Sequence, residues 1–160
     1  MSTLTNTKAP ENGASVIDTT FYPVPVFHFE VKIGAHEGVF TEVSGLNSSV
    51  DVIEYRHGMS KGQVYKMPGI SNTDDVTLKK GVFKTDLHLY EWFATSNMQT
   101  AERRDITVSL LDEASEPVMT WQVTNCFVKG FTGPDLNASS NEMAVESVEL
   151  AHEGIRIVIN

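Results

Sequence analysis

One cysteine, Cys126, occurs in 160 residues. No disulfide can form within such a chain, which suits synthesis in a reducing cytoplasm. Cations are also scarce: 12 Lys and Arg stand against 21 Asp and Glu, a net charge of −9. That balance excludes a nucleic-acid grip, which needs Lys and Arg to replace phosphate counterions. It also disfavours anionic membrane surfaces. No run approaches the ~20 apolar residues that span a bilayer. The first residues lack the basic and apolar regions of a secretory signal, so no export leader is expected. What remains is ordinary for a globular domain, with 41% hydrophobic and 21% charged residues. The length fits one domain, able to bury roughly 68–70% of its unfolded surface.

Residues 1–20 are mostly Ser, Thr, Asn and Gly, too polar to offset their own ordering entropy. They read as a flexible N-terminal arm, and residues 21–160 as a single domain. Tyr22-Pro23-Val24-Pro25 makes a stiff, extended entry. Phe27, Phe29, Val31 and Ile33 then alternate with His28, Glu30 and Lys32, the period of a strand with one buried face. A turn is predicted over 34–38, with strands over 39–44, 50–56 and 75–83. Gly58, Gly62, Pro68 and Gly69 punctuate a long excursion between the last two. One segment has helical periodicity: Thr85 or Asp86 can cap it, Leu89/Phe93 and Tyr90/Ala94 stack at i,i+4, and Asn97 can end it. Strands over 105–112 and 118–128 flank a polar turn, with Met119, Trp121, Val123 and Phe127 of one parity on the second. Gly133-Pro134 opens a loop, and Ile155, Ile157 and Ile159 close the chain as a strand. Residues 142–152 fit a helix by composition. As a strand they would switch apolar face between Met143/Val145 and Val148/Leu150, which calls for a bulge or bend. The class is mainly β, a barrel or two packed sheets with one helix.

Catalytic strings fail on context. Gly58-Met59-Ser60-Lys61-Gly62 matches the nucleophile elbow, but no helix pattern follows it. His36-Glu37 and His152-Glu153 lack the second histidine of a zinc protease. Cys126 sits in a strand pattern, where a lone cysteine is inert packing. Lys79, Lys80 and Lys84 form the only basic knot, expected to be a solvated or interface-facing patch. No cofactor, metal or catalytic residue is expected, and the chain is not expected to be an enzyme.

Several strings taken in order carry a resemblance. They are Tyr22-Pro-Val-Pro-Val-Phe-His-Phe-Glu-Val, Phe40-Thr-Glu-Val-Ser-Gly-Leu46, Glu54-Tyr-Arg-His-Gly58, Lys66-Met-Pro-Gly69 and Val76-Thr-Leu-Lys-Lys-Gly-Val-Phe83. Ile106-Thr-Val-Ser-Leu-Leu-Asp-Glu113 and Asn141-Glu-Met-Ala-Val-Glu-Ser-Val-Glu-Leu-Ala-His-Glu-Gly154 complete the series. It resembles the tail tube proteins of contractile phages and of phage-tail-like contractile injection particles, from about residue 21 to the end. One departure is the stretch Asn125-Cys-Phe-Val-Lys-Gly-Phe131, which lacks the family's tryptophan, although Trp121 lies just before it.

The resemblance implies two packed β-sheets forming a barrel with one flanking α-helix, as in type VI secretion tubes, and it favours strand over 142–152. It implies hexameric rings stacked into an inner tube within a contractile sheath, with sheath and baseplate proteins as partners. Effector cargo or DNA would pass through the lumen without specific binding, and the subunit would not insert into a membrane. The implied setting is assembly in the bacterial cytoplasm as part of a phage tail or an injection particle. Candidate inter-subunit or inter-ring residues are Asp51, Glu54, Tyr55, Arg56, Ser60, Lys61 and Tyr65, with Tyr22 and Pro23. Glu142 and Glu146 are candidates for an acidic lumen wall, which would repel DNA and acidic cargo. Two alternatives share parts of this reading: a tube-initiator or baseplate hub subunit of the same fold, and an unrelated β-barrel binding module or small hydrolase.

Overall fold

Alternating apolar residues set the strands of this molecule, and among the described residues its sheets stay open. The computed structural model describes Pro25 and residues 28–59, 61–96 and 99–160. In chain order the elements are β1 (Phe29–Ile33), β2 (His36–Gly38), β3 (Glu42–Ser44), β4 (Ser48–Tyr55), β5 (Tyr65–Thr73), β6 (Val76–Gly81), α1 (His88–Thr95), β7 (Arg104–Leu111), β8 (Pro117–Thr132), β9 (Val145–Ala151) and β10 (Gly154–Ile159). The N-terminal arm, Tyr22 and Pro23, Ser60 and the expected helix stop at Asn97 lie outside the described residues.

Strand β8 organises the fold. Its first part pairs with β7 on one side and β10 on the other, and its last part pairs with β9. The antiparallel path therefore runs β2-β1-β7-β8-β9-β6-β3, with β10 beside β8 and β4-β5 as a separate two-stranded ribbon. The bend between the two sheets falls at Asn125, in the left-handed region at φ 51, which Asn tolerates better than most residues. Its backbone N–H donates to Asp105 Oδ1 at 2.9 Å and its side-chain amide to Glu153 Oε2 at 2.7 Å. Arg103 donates to the other Glu153 oxygen at 3.0 Å. The bend is thus held by side chains where ladder bonds lapse.

The two sheets enclose one core. Val31 and Ile33, Ile106 and Val108, Val123, Cys126 and Val128, Val76 and Leu78, and Val148 and Leu150 meet there with Leu89 and Trp92 of the helix. Cys126 is buried as expected, and burial, with Asp105 nearby, pushes its thiol up to about 12. Residues 145–151 form a strand with Val148 and Leu150 inward, while Met143 stays exposed in the preceding loop.

Several expectations need correction. No closed barrel exists among the described residues. The path ends on β2 and β3, each three residues long, and the chain crosses from one sheet to the other between them, so these edges do not pair. The excursion after residue 56 is largely strand: β5 pairs with β4 from Tyr65 to Thr73, with Pro68 opposite Val52 and a bulge just after it that takes up Gly69. The predicted turn over 34–38 contains β2. Helix α1 is shorter than expected. Its N-cap position is Leu87, without a side-chain cap, while Asp86 Oδ1 accepts the His88 N–H at 3.3 Å from one residue further out.

Candidate assembly interface

The β4–β5 ribbon is the least self-sufficient part of the structure. Every residue of both strands except Gly69 is exposed. Cross-strand register places Ile53 opposite Met67 and Tyr55 opposite Tyr65 on one face, with Glu54 opposite Lys66 on the other. The first face is therefore apolar, while the second is mixed, carrying a Lys66–Glu54 ion pair at 4.0 Å beside Val52 and Pro68. Beyond Tyr55, His57 stacks on the Tyr65 ring, with centroids 5.8 Å apart. An isolated two-stranded hairpin is marginal in water, and exposed contiguous apolar residues mark an interaction surface.

The root of this ribbon is fixed. Asn47 Nδ2 donates to Asp74 Oδ2 at 3.0 Å, and the Asp74 N–H donates to the Asn47 carbonyl at 3.3 Å. The Asp74 carbonyl accepts from His152 Nε2 at 2.8 Å. That bond places the proton on Nε2 and leaves the buried Nδ1 without a partner. Lys129 Nζ reaches Asp75 Oδ2 at 2.6 Å and Glu149 Oε1 at 3.4 Å. The two carboxylates raise the Lys129 pKa, Asp75 first. The result is a rigidly rooted arm with an apolar stripe that the described residues leave uncovered.

Among the described residues no comparable arrangement supports catalysis. Gly58, Lys61 and Gly62 sit at the ribbon tip between two strands, so the strand-to-helix turn of a nucleophile elbow is missing. A cavity of about 40 Å³ beneath α1, lined in part by Ile33, Phe40, Lys80 and Trp92, is too small for a substrate, which usually takes ~300 Å³ or more. A recess of about 420 Å³ is lined by Asp135, Ser140, Glu142 and Met143 among others, and the Ser140 hydroxyl there accepts the Glu142 backbone N–H rather than pairing with a side-chain base. Among the described residues no His, Cys, Asp and Glu group is arranged to hold a metal ion.

The sequence profile of the T4-like virus tail tube protein gp19 family matches residues 25–156. The chain belongs to this family of tail tube proteins. It is a structural subunit of the inner tube of a contractile injection system or phage tail. A chain of an extracellular contractile injection system, the PVC sheath–tube complex in its extended state, superposes at TM-score 0.83. Its identity is 38%, over 89% of this chain and 95% of that one. A chain of the PVC sheath/tube terminator is 40% identical at TM-score 0.80, covering 86% and 97%. Hcp1 from Flavobacterium johnsoniae, 15% identical at TM-score 0.52 over 82% and 95%, shares the fold. No relative matches among curated proteins.

In this tube protein the ribbon brings together Asp51, Glu54, Tyr55, Arg56, Lys61 and Tyr65, all exposed. The acidic candidates separate. Glu142 is exposed in the loop before β9, its N–H donating to Ser140 Oγ at 3.2 Å. Glu146 is only 12% exposed and its carboxylate lies 3.1 Å from Lys80 Nζ, so within the subunit its charge is already matched.

The basic knot is a correction. Lys79 reaches Glu42 at 3.0 Å on the surface, but Lys80 is 2% exposed, turned inward between Asp86 at 2.6 Å and Glu146 at 3.1 Å. The hydrogen bond from Lys80 is the main cause that holds the Asp86 carboxyl below its usual range. The parity Val76, Leu78, Lys80 carried the signal for this, because every second residue of β6 faces the core.

Proposed function

We propose that this tube subunit assembles into hexameric rings stacked end to end inside a contractile sheath and seated on a baseplate. Its lumen passes effector cargo or DNA without binding it specifically. The subunit carries out no catalysis and inserts into no membrane. The single observation that carries the stacking is the β4–β5 ribbon, rooted by Asn47, Asp74 and His152 and bare along Ile53, Tyr55, Tyr65 and Met67. A subunit that spent strand on an uncovered ribbon would lose stability for no return, whereas a second copy supplies the cover. The open sheet edges fit the same role, since ring closure removes edges that would otherwise invite uncontrolled pairing.

Residues Asp51, Glu54, Tyr55, Arg56, Lys61 and Tyr65 are assigned to contact between rings, together with Ser60 at the tip. The N-terminal arm, with Tyr22 and Pro23 at its base, is assigned to a neighbouring subunit, where tethering gives it a high effective concentration. Glu142 is the better placed of the two acids for a lumen wall. Residues 21–160 are taken as one tube domain.

The test is a shortened ribbon. Removing the tip from Gly58 to Gly62 should leave the thermal unfolding curve in place and abolish long tubes in negative-stain micrographs. Tubes of normal length from that deletion would contradict the assignment. Deleting residues 1–19 should likewise spare the fold and weaken assembly.

A further inference from the structure

The ribbon needs a receiving surface, and one end of the first sheet has the matching properties. Across β1, β7, β8 and β10 the residues Phe29, Leu110, Met119 and Ile159 lie in one row. The row has core parity, because Ile155 of the same β10 face packs on the core. Yet cover fails toward this end: Ile157 is 58% exposed and Ile159 77%. The core face of this sheet therefore runs past the core it serves.

Charge completes the match. Just beyond the row, the β7–β8 turn carries Asp112, Glu113 and Glu116. Asp112 Oδ1 accepts the N–H groups of Ala114 and Glu116 at 2.8 and 2.9 Å, which fixes the turn. Among the described residues no cation pairs with any of these three acids. The ribbon tip has the opposite character: Arg56 and Lys61 are exposed and, among the described residues, form no ion pair. An apolar stripe ending in unpaired cations thus has as its counterpart, on the same chain, an apolar row ending in unpaired acids. Two different patches that match each other make a heterologous contact, the kind that builds rings and stacks.

We infer that the β4–β5 ribbon of one copy docks on the β10 end of the first sheet of another copy. Ile53, Tyr55, Tyr65 and Met67 cover Ile157 and Ile159, and Arg56 and Lys61 face the acids of the β7–β8 turn. This rests on the ribbon's role in assembly and adds its receptor. Opposed charges fix register and exclude wrong partners more than they add affinity.

Charge reversal tests it. Arg56→Glu with Lys61→Glu should raise the protein concentration needed for tube assembly roughly tenfold, equivalent to about 1.4 kcal/mol. Glu113→Lys with Glu116→Lys should do the same, and combining all four should restore assembly. Circular dichroism melts of each variant report folding separately. As an independent readout, Lys61→Cys mixed with Glu113→Cys should form a disulfide between chains in assembled tubes, with buried Cys126 silent. If the Arg56/Lys61 pair impairs tubes and the combined variant does not recover, with no cross-link, the receptor is elsewhere and this inference falls while the ribbon's role stands. If neither reversal nor the shortened ribbon changes the tubes, both fall.

Discussion

A lysine buried in a β-sheet must justify its charge. Lys80 does so between Asp86 and Glu146, tying the approach to α1 onto β6 and β9. Removing one partner of a buried ion pair costs about 3–5 kcal/mol. Lys80→Ala should therefore lose about that much in urea unfolding, because Asp86 and Glu146 would then face each other uncompensated. Lys80→Met with Asp86→Asn and Glu146→Gln should recover much of it. The pH dependence follows from the direction of the Asp86 shift. Its folded carboxyl is held below the usual value, so its contribution is complete above the unfolded value of ~3.9 and is lost as pH falls below that. Stability measured from pH 5 downward should fall less steeply in Asp86→Asn than in the parent. A melt that ignores both substitutions would show the triad to be incidental.

The elements divide into those that local pattern reveals and those that tertiary packing decides. Strands with one buried face, β1, β6 and β7, were legible from alternation. Within α1, periodicity alone does not say which aromatic is buried. Trp92 is 1% exposed, its Nε1–H donates to the Glu102 carbonyl at 2.8 Å, and the Arg104 guanidinium lies 5.2 Å from its ring centre. Phe93 is 36% exposed and stacks loosely on Phe131. Trp92→Ala should cost about 3–5 kcal/mol, and Phe93→Ala distinctly less. Equal shifts in melting temperature would mean the helix is rotated.

Strand β5 escaped the sequence because Pro68 and Gly69 read as loop, whereas Pro68 sits opposite Val52 and a bulge opposite Asp51 takes up Gly69. The open sheet edges were illegible for a different reason: the resemblance describes assembled rings, whereas edge pairing within one chain depends on the lengths of β2 and β3. The described candidates between 51 and 65 fall on one ribbon and its tip, and which of them share a face needed the register. Glycines at the root and tip of the ribbon make a sharp comparison. Gly45 has φ 85, and a Cβ there would collide with the Asp75 carbonyl oxygen, whereas one at Gly58 would meet open space. Gly45→Ala should lower the melting temperature markedly and Gly58→Ala should leave it unchanged.

At the scale of the molecule, a stable two-sheet body carries one ribbon that its own core does not cover. Body and ribbon have separate energetics: mutations at Lys80, Trp92 or Gly45 should change folding, and those at the ribbon tip should change assembly alone. The net charge of −9 makes opposed subunits repel at long range, so contacts have to be specific, and added salt should ease assembly by screening that repulsion. The most direct test of the whole account is a cryo-EM reconstruction of tubes assembled from the purified, unmodified protein. It should show stacked hexameric rings in which Ile53, Tyr55, Tyr65 and Met67 are buried against another copy. Tubes whose β4–β5 ribbons project free into solvent, or a protein that stays monomeric at every concentration, would contradict it.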